Sequence, residues 1–132
     1  MPIDSSLDFV SINIAIITIS DSRTKENDTS GDTLVKRITK AGHQMVKRII
    51  IPDDVSKIKK TLEELSSDNE IDCIITTGGT GLTGRDTTPE AIKQIASKHI
   101  DGFGELFRQV SFNKIGTSAI QSRAVAALIN TT

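Results

Sequence analysis

The chain has 132 residues, enough for one domain with a single hydrophobic core. A formal net charge of -1, with 25% charged residues, argues against a nucleic-acid or acidic-membrane surface, and a single cysteine excludes an internal disulfide. With no Trp, no Tyr and 4 Phe, the core has to be aliphatic, and aromatic stacking on single-stranded nucleic acid is disfavoured.

Residues 1–10 are polar and read as a poorly ordered lead-in to one domain spanning 11–132. They lack a basic region followed by an apolar stretch, and no later run approaches membrane-spanning length, so a cytoplasmic, reducing setting is expected. Ile12 to Ile19 is a nearly continuous β-branched run, a strand. It ends in Ser20-Asp21-Ser22-Arg23 and a polar loop, Thr24 to Thr29. Ser30 is placed to cap a helix that carries Leu34, Val35, Ile38 and Ala41 on one face and is closed by Gly42. Met45 to Ile51 reads as a second strand, stopped by Pro52. Asp54 then caps a helix with Ile58, Leu62 and Leu65 at i, i+4 and i+7.

Cys73 to Ile75 begins a third strand, short and apolar after a polar turn. Thr76 to Gly84 follows as a loop rich in Gly and Thr. Thr88 is placed as an N-cap, with Pro89 at the first helical position, where its missing N–H costs nothing. The pattern predicts a helix from Pro89 to Lys98 with Ile92, Ile95 and Ala96 inward. A further helix is expected over Glu105 to Phe112, with Leu106, Phe107 and Val110 buried. Thr117 to Gln121 reads as a helical turn, and periodicity leaves Ala124 to Ile129 as either helix or strand. Alternating strands and helices imply an α/β three-layer sandwich around a mostly parallel central sheet. Ligands of such sheets sit beyond the carboxyl ends of the strands. Three loops converge there: Ser20 to Arg23, Pro52 to Asp54, and Thr77 to Asp86.

The loop Thr77-Gly78-Gly79-Thr80-Gly81 lacks the Lys-Ser or Lys-Thr pair of a Walker A motif and the G-x-G-x-x-G spacing of a dinucleotide site. Free backbone N–H groups ahead of a helix N-terminus favour phosphate, yet the same residues also serve as a ligand-free tight turn. Asp53 and Asp86 each follow a strand end. They read either as a carboxylate pair for one or two Mg²⁺ ions or as a turn residue and a salt-bridge partner of Arg85. Ser20, Asp21 and Arg23 suit a phosphate or a plain polar turn. Ser30 and Asp32, flanking Gly31, favour a helix N-terminus. Cys73 falls inside a strand and reads as inert core. His43 and His99 have no metal-ligand spacing.

Thr76-Thr77-Gly78-Gly79-Thr80-Gly81, the Arg85-Asp86-Thr87-Thr88-Pro89-Glu90-Ala91 segment and Gly102-Phe103-Gly104-Glu105-Leu106-Phe107-Arg108 occur in that order. Together they resemble the molybdenum cofactor biosynthesis protein B family, itself related to the molybdopterin adenylyltransferases and the gephyrin G domain. The similarity runs from about Ile12 to the last residue. The resemblance implies a molybdopterin-binding-like fold and favours a strand over Ala124 to Ile129. It also implies transfer of AMP from Mg-ATP to the terminal phosphate of molybdopterin, with pyrophosphate released. Thr77, Gly78, Gly79, Thr80, Gly81 and Arg85 would then hold phosphate, and Asp53 and Asp86 would be catalytic and hold Mg²⁺. Ser20, Asp21, Arg23, Ser30, Gly31, Asp32, Ser118, Ser122 and Arg123 would border the pterin.

Homotrimers or hexamers are implied by the resemblance, while nucleic-acid and membrane partners are not expected. The family continues past the segment matching Asn130-Thr131-Thr132 with an apolar strand, a Leu-Pro-Gly-Ser-type loop that contributes to the nucleotide site, and a final helix. The expectation is therefore a fragment, or a native truncation with an exposed sheet edge. A non-catalytic molybdopterin carrier and a generic nucleotide-binding module stand as alternative classes.

Overall fold

The computed structural model describes residues 2–132, so Met1 of the lead-in lies outside the described residues. Three strands form a parallel sheet in the order β2-β1-β3: β1 is Asn13–Ile19, β2 Gln44–Ile51 and β3 Cys73–Thr77. The β-branched run places β1 in the centre, where Ala15, Ile16 and Ile17 are wholly buried. Helix α1 (Thr29–Lys40) covers one face, packing Ile38, Leu34 and Val35 on Ile14 and Ile16. On the other face, α2 (Val55–Ser66) and α3 (Thr88–Ile95) pack Ile58, Leu62, Leu65 and Ala91 against Ala15, Ile17 and Ile19. The result is the α/β sandwich with a parallel central sheet that the alternation of elements implies.

The β1–β2 ladder is not regular. Ile14 pairs with Met45 and Ala15 with Lys47, so Val46 is passed over as a bulge. Met45 and Arg48, three residues apart, consequently share the α1 face, while Ile49 and Ile51 join the core under α2.

Several local expectations are corrected. The α1 cap is Asp28, whose carboxylate accepts from the Gly31 N–H at 3.0 Å; Ser30 sits one step inside the helix. Asp54 caps α2 as read, accepting from Lys57 N–H at 3.0 Å. For α3, Thr87 takes the capping position without a side-chain cap, and Thr88 turns its hydroxyl onto the Gly78 carbonyl instead. That helix ends at Ile95 rather than Lys98, because Ala96 goes extended and Lys98–His99 form a short strand, β4. Ser97 N–H and Ile100 N–H bond Leu128 and Ala126 carbonyls, a pairing that outcompetes another helical turn. Its antiparallel partner is β5, Ala127–Leu128, so the strand alternative holds for part of the 124–129 segment.

Helix α4 runs over Asp101–Ile115, longer at both ends than expected, followed by a 3₁₀ turn at Gly116–Gln121. Gly102 and Gly104 lie inside it. Gly104 is kept small by the Ala124 carbonyl, which an added Cβ would meet at 2.8 Å. Leu106, Phe107 and Val110 are exposed, not buried, since among the described residues no other element covers that face. Among the described residues no helix is long and apolar enough to cross a membrane.

Candidate functional site

The ends of β1, β2 and β3 are stitched together by the side chains the sequence placed there. Asp21, just after β1, accepts from the Asp53 N–H at 3.0 Å through Oδ1 and from Arg85 Nη2 at 2.8 Å and Nε at 3.1 Å through Oδ2. Arg85 therefore pairs with Asp21, correcting the reading that joined it to Asp86. The Arg85 hydrogen bonds, helped by the Asp53 N–H, hold the Asp21 carboxyl below the usual carboxylate range. Asp53, buried beyond β2, accepts from both the N–H and the hydroxyl of Thr87 through Oδ1, at 3.1 and 2.7 Å. Its Oδ2 lies against Gly79.

Two glycines permit this approach. Gly78 and Gly79 adopt φ of 103° and 68°, the left-handed side that residues with a Cβ avoid. A Cβ on Gly78 would fall 2.1 Å from the Ile19 carbonyl oxygen, and one on Gly79 would fall 2.7 Å from Asp53 Oδ2. Further along, Asp86 Oδ2 folds back to accept from Thr83 N–H (3.0 Å) and hydroxyl (2.6 Å) and faces Gly81. These Thr83 bonds hold the Asp86 carboxyl below the usual carboxylate range, as the Arg85 bonds do for Asp21. Asp53 and Asp86 thus aim at glycines two positions apart on one loop.

Arg123 closes the far side. Its Nε donates to the Gly81 carbonyl and its Nη2 to the Asp86 carbonyl, both at 2.8 Å, and its Nη1 pairs with Glu90. Arg123 is thus joined to the glycine loop directly. Ser122 lies beside it, its carbonyl accepting from Arg108 at 3.2 Å, and both residues line a cleft of about 430 Å³ between α3 and α4. Ser118 is exposed on the 3₁₀ turn and lines neither this cleft nor the one described next.

A smaller cleft of about 170 Å³ opens between the ends of β1 and β3 and the start of α1, lined by Ser20, Arg23, Ser30, Thr77 and Gly78 together with Thr18 and Asp28. The Ser20 hydroxyl holds the turn by accepting from the N–H groups of Ser22 and Arg23. Gly31 is buried behind the cleft under Asp28, while Asp32 reaches away to Arg48 at 2.9 Å. Thr80 is exposed on the glycine loop.

Sequence reasoning passed over Thr18, Arg48, Thr87 and Thr88 as parts of the site, and gave Asp28 no role beyond its place in the segment that the resemblance sets at the pocket's border. A signal was present for two of them. Asp28 stands three residues before Gly31 at a helix start, the spacing of a cap, and Thr87 directly precedes the Thr-Pro pair. Cys73 is half-buried, and burial pushes its thiol pKa up, away from nucleophilic use.

A family model described as "Probable molybdopterin binding domain" matches residues 15–131. The chain is 40% identical over 127 residues to "Molybdenum cofactor biosynthesis protein B" of Escherichia coli K12, a match covering 96% of this chain and 75% of that one. It is 38% identical over 124 residues to a "Probable molybdopterin adenylyltransferase" of Methanocaldococcus jannaschii, covering 89% and 73%. Among solved structures, a molybdenum cofactor biosynthesis protein B superposes with a TM-score of 0.87 at 40% identity, covering 91% of this chain and 75% of the other. The tungsten cofactor synthesizing protein MoaB of Pyrococcus furiosus superposes with a TM-score of 0.80 at 35% identity, covering 90% and 74%. The fold, the order of the motifs and these matches agree: the chain belongs to the molybdenum cofactor biosynthesis protein B family.

Proposed function

We propose that this protein binds molybdopterin in cofactor biosynthesis and transfers AMP from Mg-ATP to the pterin's terminal phosphate, releasing pyrophosphate. The observation that carries the reading is the Gly78–Gly81 loop, fixed by Thr88 and faced by the carboxylates of Asp86 and of Asp53, which Thr87 holds. The adenylyltransferase named among the relatives supports the reaction, and the cofactor biosynthesis proteins support the pathway. Backbone amides of the loop, with Thr77, Thr80 and Arg85, would hold phosphate oxygens. Ser20, Arg23 and Ser30 would face the pterin in the smaller cleft, and Arg123 would keep the loop closed.

A pterin phosphate oxygen attacks the α-phosphorus of ATP. The bond from that phosphorus to the oxygen bridging the β-phosphate breaks, and pyrophosphate leaves with the electron pair. No cluster of three or more metal-ligating side chains gathers among the described residues. Two carboxylates, with phosphates and water completing the shell, are nonetheless a usual way to hold Mg²⁺. Asp53 Oδ2, with both Thr87 bonds falling on Oδ1, fits that use. When bound, the ion offsets negative charge that builds on the phosphates. The exposed apolar face of α4, with Phe103, Leu106, Phe107 and Val110, supports a trimer or hexamer that covers it, in a cytoplasmic setting.

Pyrophosphate release from Mg-ATP in the presence of molybdopterin tests the reading. Asp86→Asn, which keeps an acceptor for Thr83, is expected to reduce release by at least roughly 100-fold while thermal unfolding stays near wild type. Turnover unchanged in Asp86→Asn would remove the metal role. Pterin binding without any release from the wild type would leave a carrier.

A further inference from the structure

We propose that Arg48 is a positioning residue for the smaller cleft, acting through Asp28 to hold the start of α1 against the end of β1; this rests on the proposed function, in which that cleft takes the pterin. Arg48 does not line the cleft. It reaches the loop behind it because the bulge at Val46 turns it to the α1 face. There its Nη2 donates to the Asp28 carbonyl and to Asp28 Oδ2, at 3.1 and 3.0 Å, and its Nη1 bonds Asp32 Oδ1 at 2.9 Å.

Asp28 carries the constraint onward. Its Oδ2 also accepts the Thr18 hydroxyl at 2.8 Å, and its Oδ1 takes the Gly31 N–H. One carboxylate, 1% exposed, therefore ties three elements: the end of β1, the first turn of α1 and, through Arg48, β2. There is no slack in the joint. A Cβ on Gly31 would come within 2.1 Å of Asp28 Oδ2 and 2.7 Å of Arg48 Nη2. Thr18 and Asp28 are themselves walls of the cleft, next to Ser20 and Ser30.

Stability alone is a poor reason for this arrangement. Arg48 Nε is buried without a hydrogen-bond partner. Desolvating an ion pair also consumes most of what the pairing returns, so apolar residues of similar volume commonly do as well or better. A two-pronged guanidinium instead fixes the start of α1 to β2 at two points, Asp28 and Asp32. With Thr18 on the same Asp28 carboxylate, the spacing of Ser20, just after β1, and Ser30 on α1 follows.

The test uses the full chain with Arg48→Met and Arg48→Lys, measuring molybdopterin and ATP affinity separately by calorimetry alongside thermal unfolding. Arg48→Met is expected to weaken pterin binding roughly tenfold or more with ATP affinity unchanged, and Arg48→Lys to recover part of the loss by restoring one ion pair. Pterin affinity unchanged in a folded Arg48→Met, or an equal loss for both ligands, would overturn the proposal. If Arg48→Met does not fold, Arg48→Lys decides by the same criterion: selective weakening of pterin supports the role and unchanged affinity overturns it. A wild type that binds no pterin overturns the proposed function, and this inference with it, a result distinct from a loss confined to the variants.

Discussion

Gly78→Ala is expected to cost the protein its fold, while Gly84→Ala, on the same loop, should leave it unchanged. At Gly78 the backbone φ of 103° is hostile to a side chain, and the new methyl would sit 2.1 Å from the Ile19 carbonyl oxygen. That obstacle is main chain at the end of the central strand, so relief requires moving β1 or β3 rather than rotating a side chain. The strained dihedral alone costs about 1–3 kcal/mol, and the displaced strand end should bring the total above about 4 kcal/mol, the range of exceptional mutations. At Gly84 an added Cβ meets nothing within 4 Å. Chemical denaturation of the two variants side by side checks the pair. A folded Gly78→Ala with wild-type midpoint would mean that the loop sits off the strand in solution. Gly79→Ala offers a graded comparison, since its Cβ meets the movable side chains of Thr88 and Asp53; activity should fall further than stability.

Removal of the carboxylate at Asp28 is expected to be the second large effect. Asp28→Ala strips the α1 cap, the Thr18 hydroxyl and the Arg48 guanidinium of their common acceptor and leaves a largely buried cation with only the exposed Asp32 as its partner. The cost should be about 3 kcal/mol, a fall of roughly 10 °C in Tm. The same network sets a pH dependence. Burial opposes ionisation of Asp28, but Arg48, the Gly31 N–H and the Thr18 hydroxyl outweigh it, so its folded pKa lies below the ordinary value of 3.8. A depressed carboxylate contributes stability that is complete above the unfolded pKa and is lost as pH falls through the folded one. Wild type should therefore lose stability on acidification below about pH 4, and Asp28→Ala should lose less over the same interval. Denaturant midpoints at pH 3 to pH 7 would show parallel curves if the assignment were wrong.

Much of this molecule was legible in its sequence because the informative signals are local. The β-branched run of β1, the i, i+4, i+7 stripe of α2, and the Gly and Thr residues ahead of Pro89 each report on a few neighbouring positions, and those elements lie where they were expected. The convergence of Asp21, Asp53 and the glycine loop followed from topology alone. What escaped were choices settled by contacts distant in sequence. Thr88 looks like a cap until the Gly78 carbonyl is seen to claim its hydroxyl. Arg85 seems made for its neighbour Asp86, yet Asp21, 64 positions away, wins the guanidinium. The apolar residues of α4 read as core because hydrophobicity marks what needs covering but not which body does the covering. Arg48 was invisible for a simpler reason: strict alternation from Met45 sends it to the opposite face, and only the skipped residue brings it back.

That skipped residue also determines which changes in chain length β2 tolerates. With Val46 deleted, Ile14 would still face Met45 and Ala15 would still face Lys47, now in an uninterrupted ladder, and every pairing through Ile51 would survive. A deletion between Lys47 and Ile51 is absorbed only if Val46 moves into the ladder; with the bulge kept, it would exchange the two faces of the strand from that point on and carry apolar side chains to the wrong layer. Position 46 is thus where β2 can be a residue shorter with every existing pairing kept. An alignment that places its gap a few positions later would misassign the counterpart of Arg48.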